Sequence, residues 1–437
     1  MRRRGMVLTL ISIVVPTLAL SACSPSNTAT APTKPRSSGA AVTTIQWAAG
    51  TISGTGLRAN LIHQFERLNP DIKVKLVAEA NNTDTTRAQL SATISGGSTT
   101  PDVYLGDVIW PGQFGHQHLA LPLSDYLSKS YWNRFAPGLV AGASYHGKVY
   151  GSPWFMDSGF LYYRKDLLAR YHLPVPTTWE QLKSEAAILQ GRHAVRYGFV
   201  WEGASYEGLT CNWMEYLADA GGHVFNSSGR PDMNTPQALK ALTFMRSLIT
   251  SGVTPSAVTT FTEPQAMNVF NDGQAAFLRN WDYAYSNSQT KGQSTVIGKV
   301  AVAPLPAFAG HGSTGFACIG GWDMYVNPHT QHLSQALRFI QFMSSLQAET
   351  KLATIASEIP TNYAVQQNPE VRKLNPVLAI VSKTHLIARP SQTPKYAQVS
   401  QAIYTNINAA LAGQVSPQSA LQQANQQLAN ATSTNAL

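Results

Sequence analysis

The sequence predicts an α/β protein with more than one domain. From residue 44 onward, the spacing of apolar residues alternates between a strand period and a helix period, in the order strand, helix, strand, helix, strand. That order is typical of an open α/β sheet. The chain has 437 residues, which exceeds one ordinary hydrophobic core and favours two to three domains.

The first part of the chain provides three strands and two helices. Asn69-Pro70 ends the first helix, and Gly96-Gly97 ends the second. The predicted strands are 44–47, 72–76 and 103–105, and the predicted helices are 57–68 and 84–95. In open α/β sheets, ligands bind beyond the carboxyl ends of the strands, and the segment Gly106–Trp110 follows the third strand there.

The segment 151–168 links this part of the chain to the next. Asp157 lies in an extended stretch beside Phe155, a strand is predicted at 160–163, and a helix begins at Lys165. Taken alone, Asp157 is an ordinary solvated acid at a strand entry, although an acid beside aromatic rings also suits a polar ligand held in a cleft.

The remaining elements continue the α/β pattern. Thr177 and Glu180 predict a capping box at a helix start, and Pro236 and Pro264 open two further helices. The other predicted strands are 197–200, 275–278, 300–305 and 316–326, and the other predicted helices are 206–220, 235–249, 265–271 and 337–346, with two more near the end of the chain. The short stretches 300–305 and 359–361 are candidates for second and third crossings between domains.

The N-terminus predicts the compartment. Arg2-Arg3-Arg4 precedes an apolar run from Met6 to Leu20, and small residues stand directly before Cys23. This resembles a bacterial lipoprotein signal: residues 1–22 would be removed and Cys23 acylated, which anchors the protein to the outer face of the cell membrane. The alternative is a single transmembrane anchor, for which the run is short. Residues 23–41 are rich in Ser, Thr, Pro and Ala and predict a flexible tether.

Composition excludes several classes of function. The formal charge of +9 falls to +6 without the three N-terminal arginines, and no basic run interleaved with aromatics indicates nucleic-acid binding. The sequence contains no GxSxG, Walker or HExxH motif, and His116 and His118 read as a surface pair, so we expect no cofactor and no metal. Cys211 and Cys318 could pair in an exported protein, but we favour two buried free thiols.

Aromatic residues recur at the ends of predicted elements, beside an acid, another aromatic residue or a glycine. The pairings are Asp107 with Trp110, Asp157 with Phe155, Trp281 with Tyr283, and Gly321 with Trp322. Aromatic faces cover the apolar patches of a sugar ring, and carboxylates bind its hydroxyls, so the pattern suits a carbohydrate. Each pairing could also be an ordinary strand end, and Asp107 and Asp157 could instead be the two acids of a glycosidase.

Several ordered segments resemble one known family. They include Gly106-Asp-Val-Ile-Trp-Pro-Gly-Gln-Phe114, Leu161-Tyr-Tyr-Arg-Lys-Asp-Leu-Leu168, Gly320-Gly-Trp322, and the stretches 198–209, 270–281, 302–306 and 412–420. These segments resemble the sugar-binding lipoproteins of ATP-binding-cassette (ABC) importers, specifically the trehalose/maltose-binding branch. The resemblance implies a two-lobed periplasmic-binding-protein fold, in which each lobe is a discontinuous α/β sandwich and three crossings form the hinge. Lobe 1 would comprise 42–152 and 302–357, and lobe 2 would comprise 157–300 and 361–430.

The resemblance also implies a function and a site. The protein would be a monomeric, non-enzymatic receptor that captures an α-linked disaccharide, trehalose or maltose, and delivers it to an ABC permease. Another oligosaccharide or a polyol is the alternative ligand. The implied sugar contacts are Arg87, Asp107, Asp157, Trp281, Tyr283, Gly321, Trp322 and Arg389. Two departures concern the choice of sugar: the region Gly54–Gly56 lacks the family's acid, and Phe155 replaces a tyrosine.

Overall fold

The computed structural model describes residues 41–50 and 56–432. The predicted signal peptide, Cys23 and almost all of the tether lie outside the described residues, as does most of the Gly54–Gly56 region. The described residues from Val42 onward form one compact unit. Among the described residues, helices fall short of the length and apolar character that a membrane span needs.

The described residues alternate between strands and helices from beginning to end. The strands are β1 (Thr43–Ala49), β2 (Ile72–Ala78), β3 (Val103–Asp107), β4 (Ser144–Tyr145), β5 (Lys148–Val149), β6 (Ser152–Ser158), β7 (Phe160–Arg164), β8 (Tyr197–Val200), β9 (Ala275–Asn280), β10 (Val300–Ala303), β11 (Phe316–Val326), β12 (Ile359–Pro360) and β13 (His385–Ile387). The helices are α1 (Leu57–Leu68), α2 (Thr83–Ser95), α3 (Pro111–His116), α4 (Lys129–Trp132), α5 (Pro137–Gly142), α6 (Lys165–Arg170), α7 (Trp179–Gly191), α8 (Glu207–Asp219), α9 (Pro236–Thr250), α10 (Glu263–Asn271), α11 (Ala284–Ser288), α12 (Leu333–Met343), α13 (Leu346–Ala356), α14 (Tyr363–Gln366), α15 (Pro369–Leu374), α16 (Val377–Val381), α17 (Tyr396–Leu411) and α18 (Pro417–Thr432).

The larger sheet has the strand order β12-β6-β11-β3-β1-β2, and β13 pairs with one end of β11. Strands β2, β1 and β3 are parallel because α1 and α2 carry the chain back between them, as the sequence predicted. Strand β11 runs antiparallel between β3 and β6. A core that includes Trp47, Phe65, Trp154 and Phe339 packs on this sheet, with their rings meeting edge to face.

The second sheet has the order β10-β7-β9-β8. Helices α7 and α10 pack on its strands, and α8, α9, α17 and α18 pack against one another beside it. Trp179 and Trp213 are fully buried in this core, and Trp179 stacks on Tyr216 with ring centroids 4.2 Å apart. The chain passes from the first sheet to the second within one residue, because β6 ends at Ser158 and β7 begins at Phe160.

Several predicted boundaries are wrong in detail, and the predicted helix 337–346 is α12 at Leu333–Met343. The N-cap of α7 is Thr178 rather than Thr177, because the Thr178 hydroxyl accepts the backbone N–H of Gln181 at 3.1 Å. Strand β3 continues through Asp107, so this acid lies within the strand and not after it. The sequence reading also missed a capping box at the start of α10, formed by Thr262 and Gln265. The lobe boundaries stay a prediction.

Candidate functional site

Strand pairing brings distant residues of the first sheet together. In the register of β11, Trp322 lies opposite Asp107 of β3 on one side and opposite Phe155 of β6 on the other. Gly320, two residues earlier, lies opposite Asp157. Because adjacent strands are about 4.8 Å apart, the row through Trp322 brings Asp107 and Phe155 beside it, and Asp157 lies two residues further along β6.

Gly321 lies where β11 packs so closely against β6 that a side chain would not fit. Its φ of +133° belongs to the region that favours glycine, and an added Cβ would lie 2.5 Å from the carbonyl oxygen of Phe155. The Gly321 carbonyl accepts the backbone N–H of Val108 at 3.1 Å, which ties β11 to the end of β3. A glycine is therefore required at this position by the backbone itself.

The second sheet presents Trp281 and Tyr283 from the turn after β9. The Tyr162 hydroxyl donates to the carbonyl oxygens of Trp281 and Asp282 at 2.7 and 3.0 Å. The guanidinium of Arg279 lies 4.2 Å from the centre of the Trp281 ring. These contacts fix the turn, so the indole face is held before any ligand arrives.

Arg279 is itself held by buried acids. Its Nε donates to Glu215 at 2.9 Å, a second nitrogen also contacts Glu215, and Nη1 donates to Glu202 at 3.1 Å. All three side chains are at most 1% exposed. Burial raises the pKa of Glu215 even though Arg279 acts in the opposite direction. The orientation of Trp281 thus depends on an ion network inside the protein.

Arg389 joins two acids at the other end of the site. It donates to both carboxylate oxygens of Asp107, at 2.6 and 3.1 Å, and to Glu207 at 3.0 Å. Tyr396 also donates to Glu207, at 2.7 Å. Burial raises the pKa of Glu207 to about 7, although Arg389 opposes that shift. The Arg389 side chain is 3% exposed, so this charge is buried within the protein.

A cavity of about 120 Å³ lies between Asp107, Trp281 and Arg389. It has room for several water molecules. Seven of the eight predicted contacts border this cavity, namely Asp107, Asp157, Trp281, Tyr283, Gly321, Trp322 and Arg389. The cavity also borders Phe155, the residue at which the sequence departs from the family pattern.

Arg87 is not among the residues that line the cavity. Its Nη1 donates to Gln113 at 3.3 Å, and its other nitrogen lies 3.6 Å from Asp84. Asp84 in turn accepts the backbone N–H of Glu207 at 3.1 Å. Arg87 is therefore connected to the cavity through Asp84 and Glu207.

The sequence reading missed four charged residues that line the cavity: Arg58, Glu207, Glu263 and Glu358. Two of them, Glu207 and Glu263, are the first residues of α8 and α10, where an acid is an ordinary partner of the helix dipole. Arg58 is buried among aromatic rings, with its guanidinium 5.5 Å from the Trp47 ring centre. A buried charge of this kind carries no sequence signal, because only the tertiary structure shows what surrounds it.

Cys211 and Cys318 are both free thiols and both buried, as we expected. They pack with Trp281 and Tyr283, and Cys211 borders the cavity. His116 and His118 are exposed on the surface. Among the described residues, the group that could supply three metal ligands is instead Asp157, Asp282 and Glu358, whose carboxylate oxygens lie within 4.8 Å of one another.

Comparison with known proteins identifies the family. The family profile described as bacterial extracellular solute-binding protein matches residues 48–350. A "Probable ABC transporter-binding protein" of Deinococcus radiodurans is 35% identical over 366 residues, which cover 82% of this chain and 86% of the relative. The mannitol-binding protein of Pseudomonas aeruginosa is 26% identical over 390 residues, which cover 84% of this chain and 87% of that protein.

The solved structures agree in fold. Maltose-bound MalE3 of T. maritima is 32% identical, has a TM-score of 0.83, and aligns with 89% of this chain and 99% of its own. A tagatose-bound solute-binding protein of Thermotoga lettingae is 22% identical with a TM-score of 0.80, over 90% of this chain and 100% of its own. The chain therefore has the predicted mixed α/β, two-lobed fold of the maltose-binding periplasmic proteins. It belongs to the family of bacterial extracellular solute-binding proteins.

Proposed function

We propose that this protein is the sugar-binding receptor of an ABC importer and that it captures an α-linked disaccharide of the trehalose or maltose type. The observation that supports this most is the cavity, where two tryptophans and two aspartates from separate segments converge. A relative at 35% identity bears an ABC transporter name, and a structure at 32% identity contains maltose.

Each residue of the proposed site has a physical role. Trp281, Tyr283 and Trp322 would stack on the two sugar rings or enclose them, since sugar C–H faces pack on aromatic surfaces. Asp107, Asp157 and Arg389 would hydrogen-bond the hydroxyls. The Gly321 backbone would approach the ligand closely, and Arg87 would act indirectly, by fixing Asp84.

The proposed mechanism is closure of two lobes on the ligand. With lobe 1 as 42–152 and 302–357 and lobe 2 as 157–300 and 361–430, Asp107 and Arg389 belong to different lobes. A ligand that binds the closed arrangement better than the open one shifts the population toward closure. The closed surface then docks on the permease, and acylated Cys23 would keep the monomeric receptor on the outer face of the membrane.

Two alternatives lead to different experimental outcomes. The first alternative is a binding protein for a polyol or another oligosaccharide, and it differs from the proposal only in the ligand. A relative at 26% identity is named for mannitol. The glycosidase alternative needs Asp107 as a free acid or nucleophile, yet both oxygens of Asp107 accept hydrogen bonds from Arg389. Release of glucose from maltose or trehalose on prolonged incubation would support the enzyme and contradict the receptor.

Isothermal titration calorimetry tests the proposal directly. The mature protein is titrated with trehalose, maltose, sucrose, glucose and mannitol, and we expect saturable heat with trehalose or maltose. Trp281→Ala and Asp107→Ala should each weaken binding at least tenfold, about 1.4 kcal/mol. Trp132→Ala removes a tryptophan outside the cavity and should not change the affinity. Absence of heat with every sugar would refute the ligand class, and unchanged affinity in both site variants would refute the site.

A further inference from the structure

Three carboxyl groups meet at one wall of the cavity. Asp157 comes from β6, Asp282 from the turn after β9, and Glu358 from the residue before β12, and their oxygens lie within 4.8 Å of one another. Asp282 and Glu358 are 0% exposed and Asp157 is 5% exposed. We call these three residues the carboxyl cluster.

Part of the carboxyl cluster lacks donors. No N–H or hydroxyl of the described residues donates to Oδ1 of Asp157 or to either carboxylate oxygen of Glu358, and these oxygens face the other carboxyl groups of the cluster. Asp282 differs, because its two oxygens accept the backbone N–H groups of Tyr283 and Ile359 at 2.9 and 2.8 Å. Asp157 and Glu358 both border the cavity. The oxygens without donors therefore lie where a ligand can reach them, and buried polar atoms of this kind ordinarily have a partner.

The cavity lining contains more acidic than basic side chains. The described lining contains five carboxyl side chains and two guanidinium groups. Arg389 is already engaged by Asp107 and Glu207, and Arg58 lies near both Glu79 and Glu358. Burial, with the nearby acids, holds the pKa of Asp157 well above its usual range. The lining is short of positive charge beside the carboxyl cluster.

We propose that the carboxyl cluster recognises a protonated amino group, so that the preferred ligand is an amino sugar or amino polyol. This inference rests on the proposed function, because it names the chemical class of the carbohydrate. An ammonium group brings three donors and one positive charge to the oxygens that lack donors, whereas a hydroxyl brings one donor and no charge.

A divalent metal ion fits the carboxyl cluster less well. Calcium takes six to eight oxygen ligands, and magnesium demands octahedral geometry. The cluster supplies three carboxyl groups, and the oxygens of Asp282 are already directed at backbone N–H groups. The ammonium group needs only hydrogen-bond acceptors, which is what Asp157 and Glu358 offer.

The test compares ligands that differ in one group. The probes are trehalose with 2-amino-2-deoxytrehalose, glucose with 2-amino-2-deoxyglucose, and sorbitol with 1-amino-1-deoxysorbitol, each titrated near neutral pH by calorimetry. We expect the amino member of at least one pair to bind at least tenfold more tightly than its neutral partner. Equal or weaker binding of every amino member, beside measurable binding of a neutral one, overturns the inference and leaves the proposed function intact. No binding by any probe, and none by maltose in the same titration, overturns both.

Two variants separate recognition of charge from structure. Glu358→Gln keeps the size and polarity of the side chain but cannot ionise to pair with an ammonium group, and it should lower the amino-sugar affinity at least tenfold while the affinity for the neutral partner changes less than threefold. Equal losses for both ligands would show a structural role and overturn the inference. Glu185→Gln, a buried acid of α7 that does not line the cavity, is the matched control and should change neither affinity. If CaCl₂ or MgCl₂ raises the melting temperature and Glu358→Gln abolishes that rise, the cluster is a metal site instead.

Discussion

Removal of the Arg279 guanidinium should strongly destabilise the protein. The network of Arg279, Glu215 and Glu202 is at most 1% exposed, so Arg279→Met leaves two buried acids without their cation. Truncation of one partner of a buried ion pair costs about 3–5 kcal/mol, whereas methionine keeps the apolar contact with the Trp281 ring. We therefore expect the free energy of unfolding to fall by about that amount, measured by urea denaturation followed by circular dichroism.

Two controls identify the cause of that loss. Arg338→Met removes an arginine whose pair with Asp71 is exposed, and it should leave the denaturation midpoint nearly unchanged, since exposed pairs stabilise little. Arg279→Met combined with Glu215→Gln removes one stranded charge, and it should be more stable than Arg279→Met alone. Equal effects of Arg279→Met and Arg338→Met would refute the argument that burial sets the cost.

The pH dependence supplies a further check on the same variant. Burial raises the pKa of Glu215 in the folded protein, and loss of Arg279 removes an opposing effect, so the pKa rises further. An acid whose folded pKa exceeds its unfolded value holds a proton in the folded state, and the stability that this proton gives is lost as pH rises. The deficit of Arg279→Met relative to the natural protein should therefore be smallest near pH 5 and grow by up to about 1.4 kcal/mol per pH unit while Glu215 titrates. A deficit that shrinks as pH rises would contradict this.

Three further predictions follow from individual side chains. Phe155→Tyr adds a hydroxyl at the cavity wall and should strengthen binding of trehalose or maltose severalfold by calorimetry, as expected for one added hydrogen bond of about 1 kcal/mol; weaker binding would refute a role for position 155 in the choice of sugar. Cys211 and Cys318 are at most 1% exposed, so protein that begins after Cys23 should release two equivalents from Ellman's reagent only when denatured; two fast equivalents in the native protein would contradict their burial. Burial raises the pKa of Glu349 and of Asp323 to about 8, above their ordinary values of 4.5 and 3.8. The free energy of unfolding, measured by urea denaturation, should therefore fall from about pH 5 to about pH 8. A rise over that range would refute these shifts.

Local periodicity was sufficient for most of the fold. The alternation of apolar residues along β1, β2 and β3, with the helix spacing between them, implied a parallel arrangement that the structure has. Errors occurred where two local signals compete. Thr177 and Thr178 both suit an N-cap, and only the hydrogen bond from Gln181 to Thr178 decides between them. Likewise, Gly106 was predicted to follow β3, although its pairing with Asp323 continues the strand.

The site was predictable only where resemblance supplied the tertiary information. Asp107, Trp322 and Asp157 are separated by as many as 215 residues, from 107 to 322, and the register of β11 brings them together. Glu358 shows the limit of sequence reasoning. It stands before a two-residue strand and looks like an ordinary surface acid, yet it is 0% exposed and borders the cavity. Its chemistry arises from Asp157 and Asp282, which no local pattern connects to it.

In the proposed mechanism, the contacts of Arg389 would link ligand binding to lobe closure. If the lobes separate as proposed, opening breaks the two hydrogen bonds to Asp107 and lets water hydrate both groups, so hydration offsets much of the lost attraction. The ion pair between Arg389 and Asp107 therefore need not hold the lobes closed by itself, and ligand binding can determine the equilibrium between the open and closed arrangements. To shift the ratio of closed to open protein from 1:99 to 99:1, a ligand must bind the closed state about 5.5 kcal/mol more favourably than the open state. A ligand with a micromolar dissociation constant has a total binding free energy of roughly 8.2 kcal/mol, which is larger than this difference. In the proposed mechanism Asp107 would therefore serve both the ligand and the closed state, and its substitution should change affinity and the open-to-closed ratio together.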